Sequence, residues 1–258
     1  MNDPERSRSV FAERYDRCRP SYPAQLFDLL TATVGEGARV LEIGCGTGQA
    51  SVPLAARGFA LTALEPEEEF AEIARRRLAG YLSVRVVVEA FEDWRLPPVG
   101  FDLVVAAASF HRLDPELRMV KAADALRPRA ALAVVSTHHV AGGSGEFFGR
   151  VQQCYERFAP GAGPGQRLPV ADEIPQDPKE FHRSARFSPP EFHCYEWEAR
   201  YTSEQYRDLL MTYSGHRAIP AHVREELLDC IGRRIDDDHG GVIAKRYLTQ
   251  LALAQRLG

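Results

Sequence analysis

RVLEIGCGTGQA, residues Arg39 to Ala50, is the stretch whose reading decides the fold. A short apolar run, Val40 to Ile43, is followed at once by Gly44, Gly46 and Gly48, the pattern of a strand breaking into a helix. Each glycine lets the backbone turn tightly, or lie against a ligand where a Cβ would collide. The helix expected to begin near Gly48 presents unpaired N–H groups at the positive end of its dipole. Such a loop suits a polar or anionic group. The dinucleotide fingerprint needs GxGxxG, whereas here the third glycine comes one residue early and Gln49 stands in its place. The spacing argues against NAD.

Working outward, the segment before the loop reads as a frayed start over residues 1–10, then an aromatic and basic stretch, then a helix. Pro23 suits the first turn of that helix, Leu26, Phe27, Leu30 and Val34 share a face, and Gly35 stops it. Beyond the loop, ALTALE gives a second strand ending at Glu65. That acid lies about twenty residues past the first glycine, the interval at which a ribose-binding carboxylate sits in a nucleotide-binding α/β unit. A helix from Glu67 to Leu78, a strand VRVVV at Val84–Val88, the turn Phe91-Glu92-Asp93-Trp94 and a fully apolar strand FDLVVAAASF follow. That strand runs into His111 and Arg112. Pro115 opens a helix to about Leu126, and Ala130 to Ser136 makes a fifth strand that ends in His138 and His139.

Strand and helix alternate up to here, which predicts a doubly wound, mostly parallel α/β sheet with ligands at the carboxyl ends of its strands. The alternation then lapses. GEFFGRVQQCYERF reads as helix, and PGAGPGQRLPVADEIPQDP as a long loop of the kind that serves as a lid or is mobile. EFHCYEWEARYT restores a strand, Thr202 and Gln205 form a capping box, Pro220 opens a further helix, and VIAKRYLTQLALAQR closes the chain as a strand. One domain over 1–258 is expected: a cap segment and helix at 1–37, a cofactor-binding core at 38–140, an insertion or lid at 141–190, and completing strands and helices at 191–258.

The chain is 45% hydrophobic and 26% charged with a formal net charge of -4, which gives no basic footprint for nucleic acid. Five cysteines, at 18, 45, 154, 194 and 230, form no CxxC pair and leave one over in any pairing. They point to a reduced cytoplasmic setting. The polar start MNDPERSRSV is no signal peptide, and no apolar run approaches the roughly 20 residues that span a bilayer, so no membrane partner is expected.

With these residues laid out, the chain resembles the class I S-adenosylmethionine-dependent methyltransferases, from about Tyr15 to the last strand. EIGCGTG is similar to that family's first motif, so the resemblance implies that Gly44, Cys45, Gly46, Thr47 and Gly48 hold the cofactor's methionyl end. Glu65 matches the acid that takes both ribose hydroxyls, and Phe91 and Glu92 match the adenine-contacting turn. RCRPSYP, LLMTYSG and KRYLTQLALAQR resemble a small-molecule subgroup related to trans-aconitate methyltransferase. There Tyr15 and Arg19 would fold over the cofactor, Arg19 meeting its carboxylate, and residues at the fourth strand's end, Ala107 among them, would pass the sulfonium. The resemblance also implies seven strands, with Val242–Arg256 as an antiparallel strand between the fifth and the one at Glu191–Tyr201.

The subgroup's fourth strand ends in His-Trp, whereas here it ends in His111-Arg112, a change from aromatic wall to cation that suits an anionic acceptor. Methyl transfer from a sulfonium is an in-line displacement, so alignment and exclusion of water supply much of the rate. His111 is the candidate base for a hydroxyl or protonated amine, against a purely positioning role. His138 and His139 point to opposite faces of a strand and do not suit a shared metal. Cys45 reads as a small side chain fitting the turn, Asp236–Asp238 as a solvated acidic turn, and Phe147, Phe148 and Tyr155 as helix packing or the roof of a substrate pocket. Two rival functions share much of this logic: a protein that binds S-adenosylmethionine without transferring methyl, and a nicotinamide-dependent oxidoreductase. The acceptor, pathway and oligomeric state are open.

Overall fold

The computed structural model describes residues 4–161 and 167–258, so part of the glycine and proline loop lies outside the described residues. Seven strands form one sheet in the order β3-β2-β1-β4-β5-β7-β6. They are β1 (Arg39–Ile43), β2 (Ala60–Leu64), β3 (Val84–Val87), β4 (Phe101–Ala107), β5 (Leu126–His139), β6 (Glu191–Thr202) and β7 (Val242–Gln255). β1 pairs in parallel with β2 and β4, β2 with β3, and β4 with β5. β7 runs antiparallel to β5: Arg256 N donates to Ala130 O at one end and Val140 N to Arg246 O at the other. The expected doubly wound α/β sheet, with an antiparallel last strand inserted beside the fifth, is the fold.

Two compact units divide the chain. One comprises Ser21–Thr137, Pro175–Tyr195 and Thr249–Gly258; the other Met1–Pro20, His138–Ile174 and Glu196–Leu248. The first contains the glycine loop. Here side-chain alternation along the strands builds two apolar layers. Val40, Leu103, Val105, Ala131 and Ala133 pack with Leu26, Phe27 and Leu30 of helix α2 (Ala24–Val34), Leu54 of α3 (Ser51–Ala56) and Leu78 of α4 (Glu68–Leu78). Their strand neighbours Leu41, Val104, Ala106 and Leu132 join Met119, Ala122 and Ala123 of α5 (Arg118–Ala125) and Phe181 of α8 (Lys179–Ser184). A strand flanked by both layers must be apolar at nearly every position, which is why β4 reads as an unbroken hydrophobic run.

The second unit is helical around parts of β5, β6 and β7. Its apolar cluster joins Phe147 and Phe148 of α6 (Gly145–Arg150), Tyr155 of α7 (Gln152–Phe158), Leu209 and Leu210 of α9 (Ser203–Met211), and Leu227, Leu228 and Ile231 of α11 (Ala221–Asp238). The short α10 (Ser214–Ala218) connects α9 to α11. The capping box is present, with Gln205 N donating to Thr202 Oγ1 at 3.2 Å and Thr202 N to Gln205 Oε1 at 2.9 Å.

Four readings need correction. Residues from Pro4 on are not frayed: α1 (Pro4–Cys18) buries Ala12 and ties Arg14 and Arg17 to Asp208 of α9 at 3.1 and 2.7 Å. Helix α3 starts at Ser51 rather than near Gly48, because the three loop glycines hold left-handed φ values of 68, 58 and 95° that no helix accepts. Asp236–Asp238 close α11 instead of forming a turn; buried Ile235 keeps this last turn helical and Arg234 pairs with Asp238 at 3.1 Å. The cysteines are not all unpaired, since α7 and α11 bring Cys154 and Cys230 to a Cα separation of 5.9 Å and a disulfide joins them. Cys18, Cys45 and Cys194 are free thiols. Among the described residues no helix is long and apolar enough to cross a membrane.

Candidate functional site

The strand order places β1 and β4 side by side with β2 beyond β1, so chain connections reverse direction between β1 and β4. The crevice outside the carboxyl ends of two such strands is where open α/β sheets bind ligands. Here it is formed by the glycine loop after β1 and the turn after β4. Gly44 has φ 68°, and a Cβ built on it would stand 2.7 Å from the Ser109 Cβ. Ser109 donates its hydroxyl to Ile43 O, which fixes the β4 turn against the loop. At Gly46, φ 58°, a Cβ would meet only Gln49 Oε1 at 3.6 Å; the protein leaves that cradle open.

Glu65, at the tip of β2, is 7% exposed and accepts from Gly46 N at 2.8 Å and Glu67 N at 3.1 Å. Burial raises its pKa, while the two backbone N–H groups and Arg112 pull it down. Each carboxylate oxygen keeps a second lone pair for a ligand hydroxyl. Behind the loop stands a group the sequence reading passed over. Glu42, on β1 and 1% exposed, accepts from Ser51 Oγ at 2.6 Å, and burial pushes its pKa up to about 7. Its signal was visible: one acid inside the run VLEI on a strand covered on both faces. Cys45 is buried with its thiol pushed well up by burial and the charges of Glu42 and Glu65, so it fits the turn and is no nucleophile. Thr47 is fully buried, its hydroxyl accepting from Gln49 Nε2 at 2.6 Å.

After Ala107 the backbone passes through Ala108 at φ 56°, a left-handed conformation unusual for a residue with a Cβ, and enters a 3-10 turn at Phe110–Arg112. His111 and Arg112 are exposed there. Partial burial and the charges of Arg112 and Arg118 hold the His111 pKa below the ordinary value, so its imidazole is neutral near pH 7. Glu92 accepts from Asp114 N at 3.2 Å, while Lys121 Nζ donates to Glu92 O at 2.7 Å and lies 5.5 Å from the Phe91 ring centroid. Phe91 is 3% exposed and packs in an apolar layer, leaving its backbone as the part available to a ligand.

Residues 40–129, the span from β1 to the start of β5, match the family described as methyltransferase domain. An uncharacterised methyltransferase of Mycobacterium tuberculosis (strain ATCC 25618 / H37Rv) is 28% identical over 215 residues, covering 83% of this chain and 79% of that protein. A solved structure named as a type II methyltransferase, from Anaeromyxobacter dehalogenans, superposes with TM-score 0.61 at 25% identity, covering 93% of this chain and 97% of that one. The chain is an S-adenosylmethionine-dependent methyltransferase.

A likeness of fold alone extends to phosphoethanolamine N-methyltransferase 2 of Haemonchus contortus, solved with phosphomonomethylethanolamine and S-adenosylhomocysteine. It has TM-score 0.54 and 15% identity, covering 97% of this chain and 58% of that one. In the methyltransferase described here, Gly44 to Gly48, Glu65, Phe91, Glu92, Ala107 and His111 all fall in one unit, at the β1, β2, β3 and β4 ends of the sheet. Tyr15 and Arg19 fall in the other unit. There the Arg19 guanidinium donates to Thr212 Oγ1 at 2.9 Å and stacks on Tyr15 and Tyr213, 5.1 and 4.5 Å from their centroids. His138 and His139 are in that unit too, with His139 against Phe148 at 4.5 Å. Phe147, Phe148 and Tyr155 are buried in its apolar cluster.

Proposed function

We propose that this methyltransferase transfers methyl from S-adenosylmethionine to a small anionic acceptor at the carboxyl edge of β1, β2 and β4. The observation that carries the reading is the cradle at Gly46, open on its Cβ side and held by Glu65 through the Gly46 N–H. The loop Gly44–Gly48 would hold the polar methionyl end, Glu65 the ribose hydroxyls and the Phe91-Glu92 turn the adenine edge, with Ala107 at the strand end that would pass the sulfonium; within the loop, Cys45 N, Gly46 N and Gly48 N already donate to Leu64 O, Glu65 and Cys45 O. When bound, the cofactor supplies an electrophilic methyl on an already activated leaving group.

His111 takes the proton of a hydroxyl or amine on the acceptor in this reading, and its depressed pKa keeps it in the unprotonated form a base requires. Arg112 supplies positive charge beside it, which favours an acceptor carrying a negative group. The trans-aconitate methyltransferase-like subgroup, and the closure of Tyr15 and Arg19 on the cofactor's carboxylate, rest on sequence resemblance. Arg19→Gln would raise the dissociation constant of S-adenosylmethionine if that closure operates, and would leave it unchanged if it does not. A cytoplasmic setting is likewise a proposal; finding Cys154 and Cys230 oxidised in cells lysed under thiol-blocking conditions would count against it. The reading as a whole is tested by calorimetry with S-adenosylmethionine and a methyl-transfer screen of small hydroxy acids, amino acids, and uncharged alcohols and amines. Saturable binding with transfer to at least one acid supports it; binding without transfer to any acceptor class supports the sensor alternative, and absence of binding defeats both.

A further inference from the structure

The unit made of Met1–Pro20, His138–Ile174 and Glu196–Leu248 holds a charged centre of its own. Lys245, on β7, is 5% exposed. Its ammonium donates to Tyr213 Oη at 3.1 Å and lies 5.3 and 5.1 Å from the ring centroids of Tyr213 and Tyr247. Arg19 shares the Tyr213 ring, its guanidinium 4.5 Å from the centroid. Among the described residues no carboxylate forms an ion pair with Lys245 or Arg19.

The remaining neighbours are neutral at physiological pH. Burial and the charge of Lys245 push His139 down to about 3 and His216 to about 4. Tyr155 Oη and His216 Nε2 satisfy one another at 2.8 Å, as do Tyr201 Oη and Tyr247 Oη at 3.0 Å. His139 Nε2 is buried without a hydrogen-bond partner. Burial would raise the Tyr213 phenol, yet Lys245 and Arg19 together bring it below its ordinary value. An ammonium taken out of water and answered only by a phenol and two ring faces is undercompensated, because cation–π attraction offsets only part of the desolvation. What this centre lacks is an anion.

We propose that Lys245 and Tyr213 form a binding site for the carboxylate of a small molecule. The ammonium pairs with the carboxylate, the Tyr213 hydroxyl donates a hydrogen bond to it, and the aromatic rings of Tyr213 and Tyr247 contact the molecule's apolar body. One ammonium and one hydroxyl suit a planar monoanion; a phosphate dianion would call for more donors. The carboxylate belongs to a small molecule other than the cofactor, and the site does not depend on the role given to His111.

Titrating benzoate, its neutral counterpart benzamide, inorganic phosphate and S-adenosylmethionine into the full chain and its Lys245→Met variant by calorimetry tests the proposal. Benzoate is expected to bind wild type saturably, at least tenfold tighter than benzamide or phosphate, and to lose at least tenfold in the variant. A loss confined to S-adenosylmethionine, with benzoate affinity unchanged, would overturn the proposal. Equal affinities of benzoate and benzamide, preference for phosphate, or unchanged affinities for both carboxylates in the variant would each overturn it. If Lys245→Met does not fold, Tyr213→Phe keeps the cation and removes one donor. A several-fold loss of benzoate affinity is then expected, and no loss would overturn the proposal.

Discussion

In the unit that carries the glycine loop the buried charge-bearing groups are carboxyls, Glu42 and Glu65, and hydroxyl or backbone donors answer them. Among the described residues of the other unit the most buried ionisable cation is Lys245, answered by a phenol and aromatic faces. The first arrangement is self-sufficient: the loop, its anchoring acid and the supporting acid come from residues 42–67, close along the chain and set by β1 and β2. The second is assembled from residues 19, 213 and 245, separated by long stretches of chain. Recognition built from backbone is written locally; recognition built from side chains is not. The second unit also has a covalent tie that the first lacks, the bond between Cys154 and Cys230, 76 residues apart in sequence.

Breaking that tie is expected to have the largest effect on stability. Closing a loop of this length removes chain entropy from the unfolded state worth about 4 kcal/mol. Replacing both cysteines with serine should lower the urea midpoint accordingly, and an unchanged midpoint would show that the disulfide carries no constraint. In the glycine-loop unit, Glu42 makes a contrasting prediction. Its folded pKa, about 7, lies above the ordinary 4.5, so the fold favours its protonated form. This contribution is complete below the unfolded pKa and is lost as pH rises through the folded value, a swing of about 3 kcal/mol. Glu42→Gln should abolish that decline in urea unfolding between about pH 5 and pH 8. A decline of equal size in both proteins would mean Glu42 is ionised in the fold.

The contrast between the units also explains what could be read before the structure. The parallel part of the sheet and the loop were legible because glycine spacing, strand periodicity and Glu65 lie within short windows; the place of the last strand beside the fifth came from the family resemblance. Glu42 was readable in principle, as an acid on a doubly covered strand, but motif reading treats it as part of the loop's frame. Ser109 closing on Gly44 was not readable, since it depends on β1 and β4 being neighbours across 66 positions. The Lys245 centre was less legible still. KRYLTQ reads as an alternating strand, and nothing local announces that its lysine is buried. The early start of α1 was hidden for a similar reason: Asp208, which pairs with Arg14 and Arg17, lies far along the chain.

The smallest of these effects in free energy is expected at the β4 tip. His111→Asn should slow methyl transfer by about 10²-fold, roughly 2.7 kcal/mol, while leaving cofactor affinity unchanged. Wild-type transfer should rise with pH through a value below 6.5, because burial and Arg112 disfavour the imidazolium, and the variant should lose that limb. A variant of equal rate, or one that retains the pH limb, would reduce His111 to a bystander.

The central claim, that the loop after β1 is the cofactor cradle, is tested most directly by titrating S-adenosylmethionine into wild type and Gly44→Val by calorimetry. A valine at φ 68° with its Cβ 2.7 Å from Ser109 must force the loop and the β4 turn apart. Saturable binding to wild type and none to a folded variant is the predicted result; equal affinity in the two proteins would contradict the account.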